Sequence, residues 1–508
     1  NQAVEMLNVD QKDTTFARKR GGATAVSLTG GTALNSTVDA LFRHVPGGSE
    51  AAAEFWAIDG DAAPVKRLTG GVTWADVTVD DAMTSGDIFN VDAVTLNGKL
   101  YLAYDSSVDR LHVYDPNLAT PRVRRVGFAT PGAPTVANGG AGTYAATLRY
   151  YRVRWLQVAT IGGASTVVRR SEPSASVSFT PSGTGAQADI TRPTVAGEGE
   201  THWEIEKSSD NATWHVLYSF DNAGTQVAIA TATYDDSTLN ATITDRPLSN
   251  AAGMHGRFPS VKYLATDGNR LLGTGAFEAA GAESGGRNAR VWYTPVLGSA
   301  DRGDDERLVN QTLQKNWVDL NENDGGGNTG LGVVDGVPYV FQYRRIYKLR
   351  PTGDVTTPYL PKRIKGTIGA VFYRTIAEGE DQTGQTALYF LSHRGPYRIV
   401  QVDGAHQVQY LGRDNEVTWR SVNLAATATV AHSVFYPDLH QWWVWIATGS
   451  SNSPDVKMVF DVQKGFPDEH GQIRGGWYKH DGNSAAARSS CLMSNTLGAT
   501  MSRDLKPH

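Results

Sequence analysis

Short runs of alternating apolar and polar residues, joined by tight turns, recur along most of this 508-residue chain. Six times, two such β-strand runs flank a short and usually glycine-bearing turn, and the pattern between them predicts no helix. The clearest copy joins VDAVTL to KLYLAY through Asn97-Gly98. The others are LFRHV with EFWAID, VKYLATDGNRLLGTG, LGVVDGVPYVFQ, TALYFLSHRGPYRIVQV and HSVFYPDLHQWWVWIA. Repeated short meanders of this size predict the blades of a β-propeller.

The turns between the paired runs set the spacing of this repeat. Asn97-Gly98 is the strongest hairpin signal, because both central residues of the favoured turn need positive φ. Asp267-Gly268, Asp335-Gly336 and Arg394-Gly395-Pro396 punctuate the later copies. Once an insertion of about 118 residues is removed, the turn glycines are about 52, 68 and 59 residues apart. Each interval suits one four-stranded blade.

That insertion follows a linker at Thr130–Pro134, and its apolar runs do not follow the repeated meander pattern of the blades. Its apolar runs predict the strands of a β-sandwich, at Tyr144–Gln157, Val177–Thr180, Trp203–Lys207, Trp214–Ser219 and Thr231–Asp235.

Four stretches of the insertion carry a family resemblance: Tyr150–Trp155, Ser171–Ser174, Trp203–Glu206 and Asp210–Trp214. Together they resemble a fibronectin type III module over about 115 residues, the usual size of such sandwiches. The resemblance implies that Ser171–Ser174 is the turn before a mid-domain strand. It also implies that Trp203 and Trp214 lie in core strands.

We therefore predict an all-β fold, an irregular propeller of six to seven blades interrupted by an immunoglobulin- or fibronectin-like β-sandwich. Residues 1–37 form an N-terminal extended arm with a basic cluster at Arg18–Arg20, which either docks on a neighbouring subunit or is a solvated tail. Residues 38–130 hold the first blades, 131–250 the inserted domain and 251–508 the remaining blades.

Two further expectations concern the ends of the chain: how the last blade is completed and where the gene product begins. Residues 485–494 begin like another blade, which a further C-terminal segment or the N-terminal strand would complete. Because the chain starts at Asn1 without a methionine, we expect it to begin inside a longer gene product.

Composition narrows the function classes. Charged residues make up 19 % of the chain, and its 54 glycines and 12 tryptophans suit short strands and tight turns. The net charge of −5 gives no sign of a nucleic-acid-binding surface. With Cys491 as the one cysteine, the chain forms no intrachain disulfide and no cysteine-cluster zinc site. No apolar run reaches the 18 residues that a membrane-spanning helix needs.

The catalytic motifs of serine hydrolases, zinc proteases and P-loop enzymes do not occur in the sequence. We accordingly predict no catalytic residue, no metal ligand, no cofactor-binding residue and no cofactor. His112, His215 and His406 lie within apolar or mixed strands, where a hydrogen-bonded structural role is the expectation.

Four other stretches admit a functional and a structural interpretation. Ser208–Trp214 approximates the Asp-box turn of sialidase propellers but lacks its glycine, which favours an ordinary tight turn. Asn321–Asn328 and Asp301–Arg307 could offer oxygen ligands to Ca²⁺, although their spacing favours solvated or subunit-facing loops. Gln441–Trp445 could be a sugar-stacking platform, yet strand alternation turns at least one of its faces to the core.

A propeller interrupted by a sandwich, with meanders such as VTLNGKLYLAY, Asp267–Leu271, Arg290–Tyr293 and Ala387–Val402, resembles the tail nozzle or hub proteins of short-tailed bacteriophages. The resemblance implies a structural virion protein of the tail, assembled in the host cytoplasm and without enzymatic activity. Six identical subunits would form a ring around a channel for DNA retention and ejection. Its partners would be the portal or adaptor, tail fibres, and genomic DNA bound without sequence specificity.

A carbohydrate-active propeller enzyme, or an adhesin, with an accessory fibronectin-like module is the alternative. The paired carboxylates that glycoside hydrolysis uses can be distant in sequence and meet only in space, so the sequence leaves this alternative open.

Overall fold

The computed structural model of this chain describes the residues 9–11, 17–19, 38–46, 53–59, 64–69, 73–80, 91–103, 111–118, 121–161, 163–183, 185–218, 227–275, 288–296, 305–311, 314–320, 326–402, 405–468 and 473–481. Of the predicted N-terminal arm, this part of the chain holds a two-stranded hairpin of β1 (Val9–Gln11) and β2 (Ala17–Lys19). The rest of residues 1–37, and residues 485–494 at the other end, lie outside it.

The first two blades precede the insertion and are four-stranded antiparallel sheets with their strands in chain order. Blade 1 contains β3 (Val38–His44), β4 (Glu54–Asp59), β5 (Val65–Thr69) and β6 (Thr73–Asp76). Blade 2 contains β7 (Asp92–Leu96), β8 (Lys99–Ala103), β9 (His112–Tyr114) and β10 (Val123–Arg125).

Two packed sheets follow and form the sandwich. Its strands are β11 (Thr135–Tyr144), β12 (Arg149–Ile161), β13 (Ala164–Arg170), β14 (Val177–Phe179), β15 (Ala186–Thr191), β16 (His202–Ser208), β17 (His215–Tyr218), β18 (Val227–Ala228) and β19 (Thr233–Asp236). One sheet has the order β11-β15-β19, and the other has β13-β12-β16-β17 with β14 and β18 paired at its margins. Tyr151, Trp155 and Trp203 are buried between the sheets.

Four more blades follow the sandwich within the described residues. Blade 3 starts after the short strand β20 (Gly256–Arg257). It contains β21 (Tyr263–Thr266), β22 (Leu271–Thr274), β23 (Arg290–Tyr293) and β25 (Trp317–Asp319), with β24 (Arg307–Leu308) paired to β20. Blade 4 contains β26 (Asn328–Val334), β27 (Val337–Gln342), β28 (Ile346–Pro351) and β29 (Tyr359–Arg363).

Blade 5 contains β30 (Ala377–Glu380), β31 (Thr386–Ser392), β32 (Gly395–Val402) and β33 (Ala405–Tyr410). Two short helices follow, α1 (Glu416–Arg420) and α2 (Leu424–Val430). Blade 6 contains β34 (His432–Tyr436), β35 (Gln441–Ile446), β36 (Val456–Asp461) and β39 (Trp477–Asp481). A small hairpin of β37 (Phe466–Pro467) and β38 (Ile473–Arg474) interrupts it. The described residues thus hold six four-stranded blades, and the predicted all-β, propeller-plus-sandwich fold is confirmed.

Apolar side chains between consecutive blades hold the propeller together. The first strands of successive blades contact one another, which places them around the axis. A separate buried cluster fills each of the five spaces from blade 1 to blade 6, and the largest lies between blades 5 and 6. There Tyr389, Trp442 and Phe460 pack with ring centroids 5.4 to 6.4 Å apart. Both faces of each inner blade are therefore buried, so their strands, such as KLYLAY, carry apolar residues on both faces.

The predicted turns form as expected in blades 2 and 4. Asn97 and Gly98 have φ of 53° and 73°, and Asp335 and Gly336 have 50° and 70°, so each pair makes a two-residue hairpin turn with positive φ at both positions.

The turn at Arg394-Gly395 has a different place in its blade from the one the spacing assumed. It joins the second and third strands of blade 5, because the first strand is Ala377–Glu380. That strand has the sequence AEGE, which contains no apolar run from which a strand could be predicted. Its Gly379 instead lies so close to the blade 6 core that a Cβ there would be 2.3 Å from the Phe435 ring.

Three details of the insertion and of the connections also differ from expectation. The run predicted as one strand over Tyr144–Gln157 is two strands, since β11 ends at Tyr144 and β12 begins at Arg149. Trp203 lies in a core strand as the resemblance implied, whereas Trp214 precedes β17 and packs under Arg152, whose guanidinium lies 4.2 Å from the ring. Helices α1 and α2 were not predicted, being too short for a clear period; Asn423 caps α2 by accepting a hydrogen bond from the Ala426 amide.

We expect Gly379→Ala to destabilise the propeller, because the new methyl group would overlap the Phe435 ring in a packed space between blades. Overpacking of this kind costs about 1–3 kcal/mol. Gly183→Ala is the matched control, since a Cβ at that position meets nothing within 4 Å. Chemical unfolding followed by tryptophan fluorescence measures both; equal unfolding midpoints for the two variants would contradict the close packing.

Candidate functional site

The residues that the sequence marked for inspection have structural roles where the structure describes them. His112 is fully buried in blade 2, His215 bonds the Arg246 carbonyl through Nδ1 at 3.0 Å, and His406 contacts the Tyr339 hydroxyl. In the Ser208–Trp214 turn, Asp210 accepts hydrogen bonds from the amides of Ala212 and Thr213, which confirms the tight turn.

The tryptophan run of blade 6 is core, as strand alternation indicated. Trp442 and Trp445 are both 0 % exposed, and Trp445 stacks on His432 at 4.7 Å. Trp443 is partly exposed, with the Lys457 ammonium 3.9 Å from its ring centroid. The loop 321–328 is described only from Gly326 onward, so the calcium interpretation of its acidic residues lies outside the described part of the chain.

The largest departure from expectation is the acidic loop 301–307. Residues 301–304 lie outside the described part, but Asp305 and Glu306 are 0 % and 1 % exposed rather than solvated. They lie against two buried cations of blade 2, Lys99 and Arg124. Lys99 Nζ is 3.0 Å from Asp305 Oδ1 and 2.8 Å from Glu306 Oε1, and Arg124 donates to both oxygens of Glu306 at 2.6 and 2.7 Å.

Electrostatics show how tightly these groups are paired. Burial lowers the pKa of Lys99, but the charges of Glu306, Asp305 and Asp115 more than offset burial and raise that pKa above its usual value. Although burial opposes it, attraction to Arg124 and Lys99 holds the pKa of Glu306 well below its usual range. Glu306 therefore stays ionised, and the loop 305–307 is bound to blade 2 by charge.

The sandwich joins this network through Arg169 at the end of β13. Its Nη1 donates hydrogen bonds to the carbonyls of Arg125 at 3.0 Å and Gly127 at 2.7 Å. Its Nη2 donates to the Glu198 carbonyl, and the guanidinium carbon lies 3.8 Å from the centroid of the Phe128 ring. Because Arg169 also contributes to the electrostatic environment of Glu306, the linker into the sandwich is fixed from both sides.

The linker out of the sandwich is fixed as well. Glu172 accepts hydrogen bonds from the amides of Gly253, at 2.7 Å, and His255. Arg154, fully buried, donates to the Asn250 carbonyl at 2.6 Å and to Glu206 at 2.6 Å. The returning chain thus covers the outer face of the β12–β16 sheet, which explains why arginines in the middle of that sheet are buried.

A small pocket opens where these linkers meet, lined by Gly127, Val167, Val168, Arg169, Arg170, His255, Gly256, Glu306 and Arg307. Burial, and then the charges of Arg170, Arg154 and Arg307, lower the pKa of His255 to about 2. The imidazole is consequently neutral at physiological pH. We define the junction as the pocket together with Lys99, Arg124, Asp305 and Glu172; it is a fixed joint between the propeller and the sandwich.

A second polar cluster crosses the propeller axis. Tyr373, in a 3₁₀ turn that precedes β30, donates a hydrogen bond of 2.9 Å to the Val91 carbonyl just before β7. Its ring also lies 5.1 Å from that of Tyr263 at the start of β21. Blades 2 and 5 are not neighbours among the described blades, because blades 3 and 4 lie between them in chain order. A contact between them therefore spans the space around the axis at this end.

Asp92 lies beside that contact and has an unusual environment. It accepts hydrogen bonds from the Leu264 amide at 2.8 Å and from its neighbour Ala93 at 3.0 Å. Burial raises its pKa to about 7, although these bonds and the nearby Arg374 act in the opposite direction. The carboxyl of Asp92 consequently titrates near neutral pH while it bridges blades 2 and 3.

Within the described residues, no three histidine, cysteine or acidic side chains are grouped so as to hold a metal ion. None of the helices described here is long and apolar enough to cross a membrane.

Comparisons with known proteins add little. No protein-family model matches the sequence, and no curated protein matches it. Among solved structures, YCF48 from Cyanidioschyzon merolae is 10 % identical, with 82 % of this chain and 94 % of that chain covered and a TM-score of 0.26. An ancestral GH74 enzyme is 13 % identical, with 91 % and 84 % covered and a TM-score of 0.23. Likenesses at these scores carry no argument about function.

Sequence reasoning missed the junction because its halves lie about 200 positions apart in the chain. The available signal was in blade 2. Lys99 belongs to the apolar run KLYLAY, and a cation that the fold buries needs a carboxylate partner. One such partner, Asp115, is close in sequence, whereas Asp305 and Glu306 are brought to Lys99 only by the fold.

We expect Glu306→Gln to destabilise the protein strongly, because it leaves Lys99 and Arg124 buried with one carboxylate fewer. Breaking a buried pair in this way costs about 3–5 kcal/mol. Glu416→Gln, which removes an exposed ion pair with Arg420, is the control and should cost less than about 1 kcal/mol. Chemical unfolding gives the stabilities, and limited proteolysis shows whether the linkers near residues 127–134 and 246–255 open. Equal losses in both variants would contradict the junction.

We expect Asp92→Asn to change how stability depends on pH. The folded-state pKa of about 7 lies above the unfolded value of about 3.9, so the folded wild type binds the extra proton and loses stability as pH rises from about 4 to 7. The asparagine does not titrate. The melting temperature of the variant should therefore rise relative to wild type between pH 4 and pH 8. Parallel melting profiles for the two proteins would contradict the assignment.

Proposed function

We propose that this chain is a structural virion protein, the subunit of a tail nozzle or hub in a short-tailed bacteriophage. In this proposal identical subunits, six of them, form a ring below the portal and its adaptor. The ring encloses the channel through which DNA is retained and then ejected, and it carries the attachment sites for fibres. The sequence resemblance motivates the proposal, and the junction supports it.

The junction is the observation that carries the proposal. Relative motion is the default for a module joined by linkers. Here both linkers are bound by buried charges and hydrogen bonds, through Arg169 on the way in and Glu172 on the way out. A ring of identical subunits requires that each one present its sandwich at the same radius and angle, and a fixed joint meets that requirement.

The contact across the propeller axis determines where the DNA channel lies in this proposal. Because Tyr373 hydrogen-bonds Val91 across the propeller, a DNA duplex does not pass through the centre of one subunit. The channel in this proposal therefore lies between subunits. There the net charge of −5 suits passage, since each cation that neutralises a phosphate strengthens binding and slows movement.

A carbohydrate-active enzyme is the second candidate, and one observation favours it. Asp92 lies near the propeller axis, and burial raises its pKa into the range of a general acid or base. Against this, both carboxylate oxygens already accept backbone hydrogen bonds, and the side chains that interact with Asp92 within the described part of the chain are Tyr373 and Arg374.

Purified protein tests the two candidates directly. We expect electron microscopy to show rings with a central hole and light scattering to give a mass near six times 54.7 kDa. Incubation with capsular and cell-wall polysaccharides should release no reducing ends. A discrete monomer that cleaves a polysaccharide would overturn the virion proposal, and the loss of that cleavage in Asp92→Asn would establish the alternative.

A further inference from the structure

A buried lysine and a buried aspartate meet between the two sheets of the sandwich. Lys207 lies near the end of β16 in one sheet, and Asp236 is the last residue of β19 in the other. Their side chains are 1 % and 0 % exposed, and Lys207 Nζ lies 3.2 Å from Asp236 Oδ2. The ammonium also donates to the Tyr144 hydroxyl at 3.0 Å and to the Thr238 carbonyl. An amine nitrogen and a carboxyl group are thus held in contact where solvent does not reach them.

Two tyrosine hydroxyls bind the same carboxyl oxygen. Tyr151, directly opposite Lys207 in the β12–β16 pairing, donates to Asp236 Oδ2 at 2.8 Å, and Tyr144 at the end of β11 donates to it as well. Burial, and then the charge of Asp236, raise the pKa of both tyrosines, so both remain protonated donors. Two donors fixed on one carbonyl oxygen are the arrangement that stabilises an oxyanion.

The protonation of Lys207 differs from that of the other buried lysine described above. Burial lowers the pKa of Lys99, but three carboxylates more than offset burial and raise that pKa, so Lys99 keeps its proton. Burial lowers the pKa of Lys207 to about 8 although Asp236 opposes it, and the nearby Arg149 acts with burial. The neutral amine is the nucleophilic form of a lysine. Lys207 therefore reaches that form near neutral pH, and Lys99 does not.

We propose that Lys207 and Asp236 are joined by an intramolecular isopeptide bond, a covalent cross-link between the two sheets of the sandwich. The bond forms between Lys207 Nζ and the side-chain carboxyl carbon of Asp236, and one molecule of water leaves. This inference concerns the sandwich alone and is independent of the proposed function.

The reaction uses only groups that are present. A proton passes from the Lys207 ammonium to the carboxylate, where Oδ1 carries it, because a site of low dielectric favours the neutral pair. The nitrogen lone pair attacks the carboxyl carbon, and the hydroxyls of Tyr144 and Tyr151 hold the charge that develops on Oδ2. A second proton passes from nitrogen to the Oδ1 hydroxyl, the C–Oδ1 bond breaks with its electron pair, and water departs. Oδ2 remains as the amide oxygen, and nothing is oxidised or reduced.

A cross-link at this place does for the sandwich what a disulfide does in other small domains. It ties the sheet β13-β12-β16-β17 to the sheet β11-β15-β19 and closes the loop between residues 207 and 236. With Cys491 as its one cysteine, the chain forms no intrachain disulfide. Closing a loop restricts the unfolded chain, so the bonded sandwich resists unfolding.

Mass spectrometry of the full chain tests the bond. We expect the wild type to be lighter than its sequence mass by one water molecule, and Lys207→Arg to have the full mass of its own sequence. Trypsin, added after denaturation, should fail to cut after Lys207, because an acylated lysine is not its substrate. Residues 171–257 then remain one peptide that lacks one water, whereas Lys207→Arg restores the cut.

Two other lysine–carboxylate pairs of the chain are internal controls. Lys66 Nζ lies 2.6 Å from Asp76 Oδ1, and Lys99 Nζ lies 3.0 Å from Asp305 Oδ1, so proximity alone would cross-link both. Trypsin should cut after both lysines, since the Asp76 side chain is 62 % exposed to water and Lys99 keeps its proton.

Three outcomes would contradict the inference. A wild type that has its full sequence mass after refolding and long incubation would overturn the bond and make the pair an ordinary buried ion pair. A lost water that persists in Lys207→Arg would also overturn it, because Asp236 would then have closed an imide on its own backbone. Tyr144→Phe removes one donor from Oδ2 and should slow bond formation by roughly tenfold or more. An unchanged rate in that variant, with its folding verified by melting temperature, would overturn the role of the hydroxyls.

Discussion

The ion pairs between Glu306 and the two buried cations of blade 2 are the interaction on which this structure depends. Burying charge is expensive, and a buried pair often adds no stability over an apolar contact of the same shape. What Glu306 does provide is one geometry: Lys99 and the fork of Arg124 are satisfied together only when the loop 305–307 lies in one place. Since Arg169 binds the backbone of the same region, that place also fixes the sandwich.

The junction and the contact across the propeller axis both hold together parts of the structure that are far apart in the sequence. Tyr373 holds blades 2 and 5 together at one end of the propeller, and Glu172 holds the returning linker at its side. Both use hydrogen bonds between groups far apart in sequence, and both restrain the relative motion of the parts that they join.

The sequence predicted local features and missed those made by distant residues. Asn97-Gly98 and Asp335-Gly336 specify their own turns through positive φ, so the hairpins of blades 2 and 4 could be predicted from the sequence. Strand β30 could not be predicted, because it has no apolar run and its Gly379 is required by packing against Phe435 of the next blade. The sequence favoured a solvated or subunit-facing loop at Asp305 and Glu306, because carboxylates are usually exposed to solvent. The fold instead brings Lys99 to them and buries the group.

The placement of charge along the chain connects these features. The sandwich is inserted after blade 2, and its joint uses carboxylates that precede β25 of blade 3. The two blades between which the chain leaves and re-enters the propeller are therefore the ones that hold the insertion in place, through Lys99 and Arg124 on one side and Glu306 on the other.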